Sequence, residues 1–160
     1  MSAITTVPSR RTIRYVTLAE LLEDVERLAA GGHRTLGNWS FGQILDHLAR
    51  AMTCAIDGFG FKAPWIARAL IAPFIKNSLI TKGMKPGFKL PRRAEALLPA
   101  NEISLEAGLN NLRQAIHRFE REPTRQYHPF LGNLASQEWV SLELRHAELH
   151  MSFVVPESAA

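Results

Sequence analysis

Cysteine is almost absent from this chain: Cys54 stands alone among 160 residues. No intrachain disulfide can form, and a lone thiol fits a reducing compartment. No uncharged apolar run approaches the roughly 20 residues of a membrane span. Arg10 and Arg11 sit side by side, but no apolar stretch follows them; Glu20, Glu23, Asp24 and Glu26 come instead, which excludes a twin-arginine export signal. These absences place the expected home in the cytoplasm. There is no internal repeat and no domain linker, so residues 1–160 read as one domain. No convincing strand is legible either, and the expected class is all-α.

Acidic residues are missing from one long stretch. Lys62 to Arg93 holds eight Lys or Arg and no Asp or Glu, within a chain of net charge +4. A solvated basic face is one reading. Attraction to an anionic small molecule, to nucleic acid or to a membrane surface is the other. No nucleic-acid-binding motif accompanies the charge.

What is present is helical periodicity. In "TLAELLEDVERLAAGG", Thr17 is a candidate N-cap with Glu20 closing a capping box, and Leu18, Leu21, Leu22, Val25 and Leu28 form one stripe. In "SFGQILDHLARAMTCAIDGF", Ser40 and Gln43 repeat the box and Gly58 ends the run. "PWIARALIAPFIKNSLI" starts at Pro64, is apolar nearly all round, and is kinked or split by Pro73. The loop "KGMKPGFKLPRR" follows. "SLEAGLNNLRQAIHRFERE" carries Leu105, Leu109, Leu112, Ile116 and Phe119 at helical spacing. "SQEWVSLELRHAELHMSFVV" opens with Ser136 as its expected cap and runs towards Pro156. Four of these five segments are long and amphipathic, which suits a four-helix bundle.

The last segment places His146 and His150 four residues apart. At about 100° per residue, Leu142, His146, His150 and Phe153 all fall within roughly 60° of Trp139. Both imidazoles therefore face inward, and Trp139, Leu142, Leu149 and Phe153 are expected to be buried. Two stacked buried imidazoles are either neutral and bridged by water or share a metal ion. His47, on the flank of the second segment's apolar arc, is a candidate third ligand or a solvent-facing polar residue. His117 points outward, His33 lies in a glycine-rich turn, and His128 precedes Pro129 in a loop.

Two metal patterns are excluded. A zincin helix has Glu after its first His, and here Ala147 occupies that place. A di-iron bundle needs two Glu-x-x-His pairs, and Glu143 with His146 is the only one. Glu143 reads as a partner behind the ligands, a fourth ligand or a salt-bridge residue. Cys54 reads as a small buried hydrophobe.

The blocks "GNWSFGQILDHLARAMTCAIDGF", "KPGFKLPRR" with "LLP" soon after, and "HPFLGNLASQEWVSLELRHAELHMSFV" resemble the DinB-like superfamily of metal-dependent four-helix bundles, in a bacterial branch of unknown function. The resemblance covers around half the chain. It implies an up-down-down-up topology with an extra helical segment in the crossover. It also implies a metal triad at His47, His146 and His150, with zinc or nickel as the usual ion. For His128, Pro129, Gly132 and Trp139 it implies loop shaping and packing. The end departs from the family pattern, reading "HMSFVV" where a glutamine–phenylalanine tail is common.

The resulting expectation is a metal-dependent enzyme, of hydrolase or thiol S-transferase type, acting on a small molecule of anionic character. The alternative is a non-catalytic module of the same fold that binds a small molecule, a partner or a membrane surface. A homodimer stays open. The segment from Pro64 to Arg93 is expected to cover or border the mouth of the histidine pocket.

Overall fold

The structure, a computed structural model, describes residues 9–87 and 91–157. Within it the helices are α1 (Leu18–Ala30), α2 (Phe41–Asp57), α3 (Trp65–Leu70), α4 (Ala72–Thr81), α5 (Leu105–Arg121) and α6 (Ser136–Met151). A 3-10 turn spans Arg92–Leu97. Phe88, Lys89 and Leu90 of the expected loop lie outside the described residues.

The helix starts follow local chemistry. The Thr17 hydroxyl accepts the Glu20 amide at 3.1 Å, while the Glu20 carboxylate reaches one residue beyond the box and accepts from Val16 N–H. At Ser40 and Gln43 the capping box is complete. Pro73 splits the third segment into α3 and α4, because a proline ring is tolerated only in the first turn of a helix. Two expectations need correction. Ala135, not Ser136, caps α6, and Glu138 satisfies the free Ala135 amide at 2.8 Å. A short antiparallel ribbon also exists: β1 (His33–Thr35) pairs with β2 (Val154–Pro156). Each strand has three residues, too few for period-two alternation to show in the sequence.

α2 and α5 run parallel. Their N-terminal ends touch through glycine: a Cβ on Gly108 would lie 3.0 Å from the Gly42 Cα, and one on Gly42 would lie 2.7 Å from the Ser104 carbonyl oxygen. At the opposite ends, both Arg118 amino groups donate to Asp57 at 2.6 Å, and the Gln126 amide donates to the Ala55 carbonyl. α6 runs against α2. Its Trp139 stacks on Phe59, just past the end of α2, and its His150 stacks on Trp39, just before the start.

α6 is buried nearly all round. Trp139 and Leu142 are buried as expected, but Leu149 and Phe153 are only half-buried, while Glu143, Leu144, Arg145, Ala147 and Glu148 are inside. The reason is the segment before α1, which lies along the face opposite the histidines. Glu148 accepts the Tyr15 amide at 2.8 Å and an Arg145 amino group at 2.6 Å, and that same amino group donates to the Tyr15 carbonyl. Buried charges are tolerated when paired and hydrogen-bonded, and this set meets that condition except at Arg145 Nε, which has no partner.

The glycine contact gives a stability test. Gly108→Ala adds helix propensity of up to about 1 kcal/mol. It also forces backbone apart, at about 1–3 kcal/mol or more. Overpacking therefore dominates, and a fall in Tm of several degrees is expected by thermal circular dichroism. An unchanged Tm would mean that α2 and α5 are not in contact there.

Candidate metal centre

One face of α2 holds the chain that precedes α5. Gln43, Asp46, His47 and Arg50 fall at i, i+3, i+4 and i+7, so they share a stripe. Gln43 Nε2 donates to the carbonyls of Ala100 and Asn101 at 3.1 and 3.0 Å. Asp46 accepts the Ala100 amide at 2.9 Å, the Asn111 side chain at 2.9 Å and Arg50 Nε at 2.8 Å. Burial alone would raise the Asp46 pKa; the Ala100 amide, Arg50 and Asn111 outweigh it and hold the carboxyl below its ordinary range. With the segment before α5 fixed in this way, the Leu97 carbonyl sits 2.5 Å from His47 Nδ1.

That contact assigns the His47 tautomer. A carbonyl only accepts, so Nδ1 carries the proton and Nε2 presents a lone pair. His47 Nε2 points at His146 Nε2, 3.0 Å away. On α6, His146 Nδ1 lies 3.8 Å from Glu143 Oε2, an oxygen that is buried without a hydrogen-bond partner. If His146 turns its N–H towards that carboxylate, its Nε2 also presents a lone pair. Two lone pairs at 3.0 Å then face each other and need a cation between them. His150 completes the group: His47, His146 and His150 each offer one nitrogen, all within 4.8 Å of one another.

Neutral rings are favoured at two of the three positions. Burial, and then the neighbouring His146, draw the His47 pKa down to about 3 against the pull of the Leu97 carbonyl. Burial, His146 and His47 draw His150 down to about 2. A divalent metal meets the need with neutral imidazoles. Two nitrogens sharing a tetrahedral zinc at about 2.0–2.1 Å are about 3.3 Å apart, a few tenths more than the observed pair. The three histidines can therefore bind a metal ion.

The other residues take supporting places. Trp39 stacks over His150 at 5.6 Å and leans on His47 at 4.9 Å; it was not singled out in the sequence, although it lies in the "GNWS" block. Asp46 was also missed, and the i, i+3, i+4, i+7 polar stripe was its signal. His128 Nδ1 accepts the amides of Phe130 and Leu131 at 3.2 and 2.9 Å and its ring packs on Trp139. It shapes that loop, as the resemblance implied. His117 is exposed, and His33 sits edge-on to Phe41 at 4.9 Å. Cys54 is buried, with its thiol pKa pushed up by that burial. It lines an open cleft of about 450 Å³ between α2, α5 and the 3-10 turn, which none of the three clustered histidines lines.

The basic segment divides. α4 packs on α6 through Lys76–Glu138 at 2.8 Å, and Gly83 stands against Arg145 and Glu148. Round α6, Arg145 and Glu148 lie about 100–160° from the two histidines and Glu138 about 80–120°. The contact to His47 comes just after the segment, from Leu97 at the end of the 3-10 turn that starts at Arg92. The expectation that the whole segment borders the histidine pocket is corrected accordingly.

Residues 7–157 match the model of a family described as "Protein of unknown function (DUF1569)", and the chain belongs to that family. No curated protein and no solved structure matches it.

A pH dependence follows for the metal-free protein. Burial and then His146 draw His128 down to about 4, below the ordinary value of about 6.5. A base with a lowered folded pKa stays neutral in the fold while the unfolded chain takes up protons. Its stabilising contribution is complete above about pH 6.5 and is lost as pH falls towards about 4. Urea unfolding should therefore show stability decreasing from about pH 7 to about pH 5. The slope should shrink by close to one proton in His128→Gln. An identical slope in the variant would place His128 in water.

Proposed function

We propose that this member of a family of unknown function is a metal-dependent enzyme with a DinB-like fold, in which His47, His146 and His150 hold one divalent ion. The observation that carries the reading is the pair of facing Nε2 atoms, 3.0 Å apart, with His47 fixed by the Leu97 carbonyl and His146 beside the unpartnered Glu143 oxygen. Metal-binding histidines characteristically donate their second ring N–H to a carbonyl or a carboxylate; here the Leu97 carbonyl is in contact with His47 and the Glu143 carboxylate lies 3.8 Å from His146 Nδ1. Zinc or nickel suits an all-imidazole donor set.

The DinB-like topology is supported by chain direction. α2 and α5 are parallel, and α6 opposes α2. α1 and α6 end together, where β1 meets β2. That order is up-down-down-up, with α3, α4 and the 3-10 turn in the crossover between α2 and α5.

Three protein ligands leave a coordination position open, as catalytic sites do and structural sites do not. A divalent ion held there supplies Lewis acidity, a more acidic bound water for hydrolysis, or activation of a thiol for transfer. The chain's own groups do the rest. Leu97 and Glu143 orient two of the ligands, and Trp39 screens His47 and His150 from water. Arg92 and Arg93, at the start of the turn above His47, favour a small-molecule substrate of anionic character.

Zinc and nickel titration of chelator-treated protein tests the reading. His146→Ala and His47→Ala should each lose more than the roughly 10–100-fold typical of residues behind the ligands. Glu143→Gln should fall within that 10–100-fold range. Equal affinity in wild type and all three variants would overturn the triad. Turnover of esters, amides or thiol acceptors that vanishes both with a chelator and in His146→Ala would carry the enzymatic part.

A further inference from the structure

A second surface of the molecule is unused by the histidine cluster. On α3 and α4, Trp65 (68% exposed), Ile66, Leu70, Ile71 and Phe74 (83% exposed) project into water within ten residues. Only Ala72 of these two helices is fully buried, with Ile75, Leu79 and Ile80 packed partway onto the core. Scattered exposed apolar residues are ordinary, but five large ones gathered on one paired helical element are not.

The charge around them has one sign. Lys62 and Arg68 lie over the Tyr127 ring at 5.0 and 5.5 Å, beside the start of α3. Lys82 and Lys85 follow the end of α4, exposed, and no acidic side chain pairs with either among the described residues. Lys76 alone is neutralised, by Glu138. Apolar residues led by Trp and Phe, set among lysines and arginines on short helices, are the chemistry of a segment that lies in a lipid headgroup layer. No helix among the described residues is long and apolar enough to cross a membrane, so contact would stay at the surface.

We propose that the outer face of α3 and α4 docks this protein on an anionic lipid surface, with Trp65 and Phe74 entering the headgroup layer and Lys62, Arg68, Lys82 and Lys85 facing lipid phosphates. Charge selects this occupant over a second copy of the chain. A two-fold dimer through this face would set the same cations against each other, whereas each lysine near an anionic leaflet is attracted to it. The inference stands apart from the metal site, because α4 covers the face of α6 turned away from the histidines.

The test is co-sedimentation of the full chain with vesicles of phosphatidylcholine alone and of phosphatidylcholine mixed with phosphatidylglycerol. Binding is expected on the anionic vesicles only. It should weaken when salt rises from about 0.1 M to about 1 M, as the screening length falls from about 10 to about 3 Å. Lys82→Gln with Lys85→Gln should weaken binding about 30-fold, from roughly fivefold per lysine. Trp65→Ser with Phe74→Ser should weaken it by roughly tenfold or more. These side chains are exposed, so circular dichroism should be unchanged in both double variants. Trp139 is buried and Trp39 half-buried, so protection of tryptophan fluorescence from an aqueous quencher on anionic vesicles reports mainly on Trp65. Equal binding to neutral and anionic vesicles, or no binding to either, would overturn the proposal. So would concentration-dependent self-association in the absence of lipid that shields Trp65, since the occupant would then be a second copy.

Discussion

The close approach of Gly42 and Gly108 is the contact on which the arrangement rests. With no Cβ on either side, α2 and α5 meet backbone to backbone at their N-terminal ends. Two parallel helices cannot be joined by a short turn. The chain must return from the end of α2 to the start of α5, and the crossover with α3, α4 and the 3-10 turn is that return. Its last residues then have to pass over α2. They do so along the stripe of Gln43, Asp46, His47 and Arg50, and this brings the Leu97 carbonyl to the His47 ring. The tautomer of His47 thus follows from a contact to a segment whose course depends on helix packing about one and a half turns away.

A second constraint acts on α6 from its other side. Arg145 and Glu148 are inside the protein, held by the backbone of Tyr15, while Arg11 makes a bidentate pair with Asp24, which also accepts the Tyr15 hydroxyl at 2.5 Å. Burial first, with the Asp24 contact adding to it, drives the Tyr15 hydroxyl pKa far above its ordinary value. Burial alone would raise the Asp24 pKa, but Arg11 and Tyr15 outweigh it and keep the carboxyl below the usual range. The segment before α1 is therefore fastened by charge as well as by the apolar packing of Ile13 and Tyr15, and α6 is clamped between it and α2. A clamped helix keeps the angular positions of His146 and His150 fixed, as a site built for one ion requires.

The sequence made the helices legible where one face is buried and one is wet. α1, α2 and α5 have that character, and their caps at Thr17, Ser40 and Ser104 are local, so a short window of residues contains the whole signal. α6 does not. Its charged residues at 143, 145 and 148 find partners more than a hundred residues away or remain in the interior, so periodicity placed Leu149 and Phe153 in the core and nothing local marked Glu148 as buried. The β1–β2 ribbon was illegible for the same reason: three residues pair with three others across the whole chain.

For the candidate site, spacing alone placed His146 and His150 on one face, because a helix turn is a local fact. It left His47 open, since a position on the edge of an apolar arc turns inward or outward according to what packs beside it. Three observations beyond the reach of spacing decide it: the Leu97 carbonyl from the crossover, the stacked Trp39 from the turn before α2, and the unpartnered oxygen of Glu143. The first fixes a proton, the second excludes water, and the third asks for an N–H. Each alone is compatible with a buried polar cluster joined by ordinary hydrogen bonds. Together they leave too few protons. A direct His146 N–H to His47 bond would satisfy Nε2 at the expense of Nδ1, whose lone pair would then face the carboxylate of Glu143. The cluster satisfies all of its acceptors at once only when something positively charged lies among the three rings. Burial disfavours a proton on His47 and His150, and three neutral rings set this close could bind a metal ion.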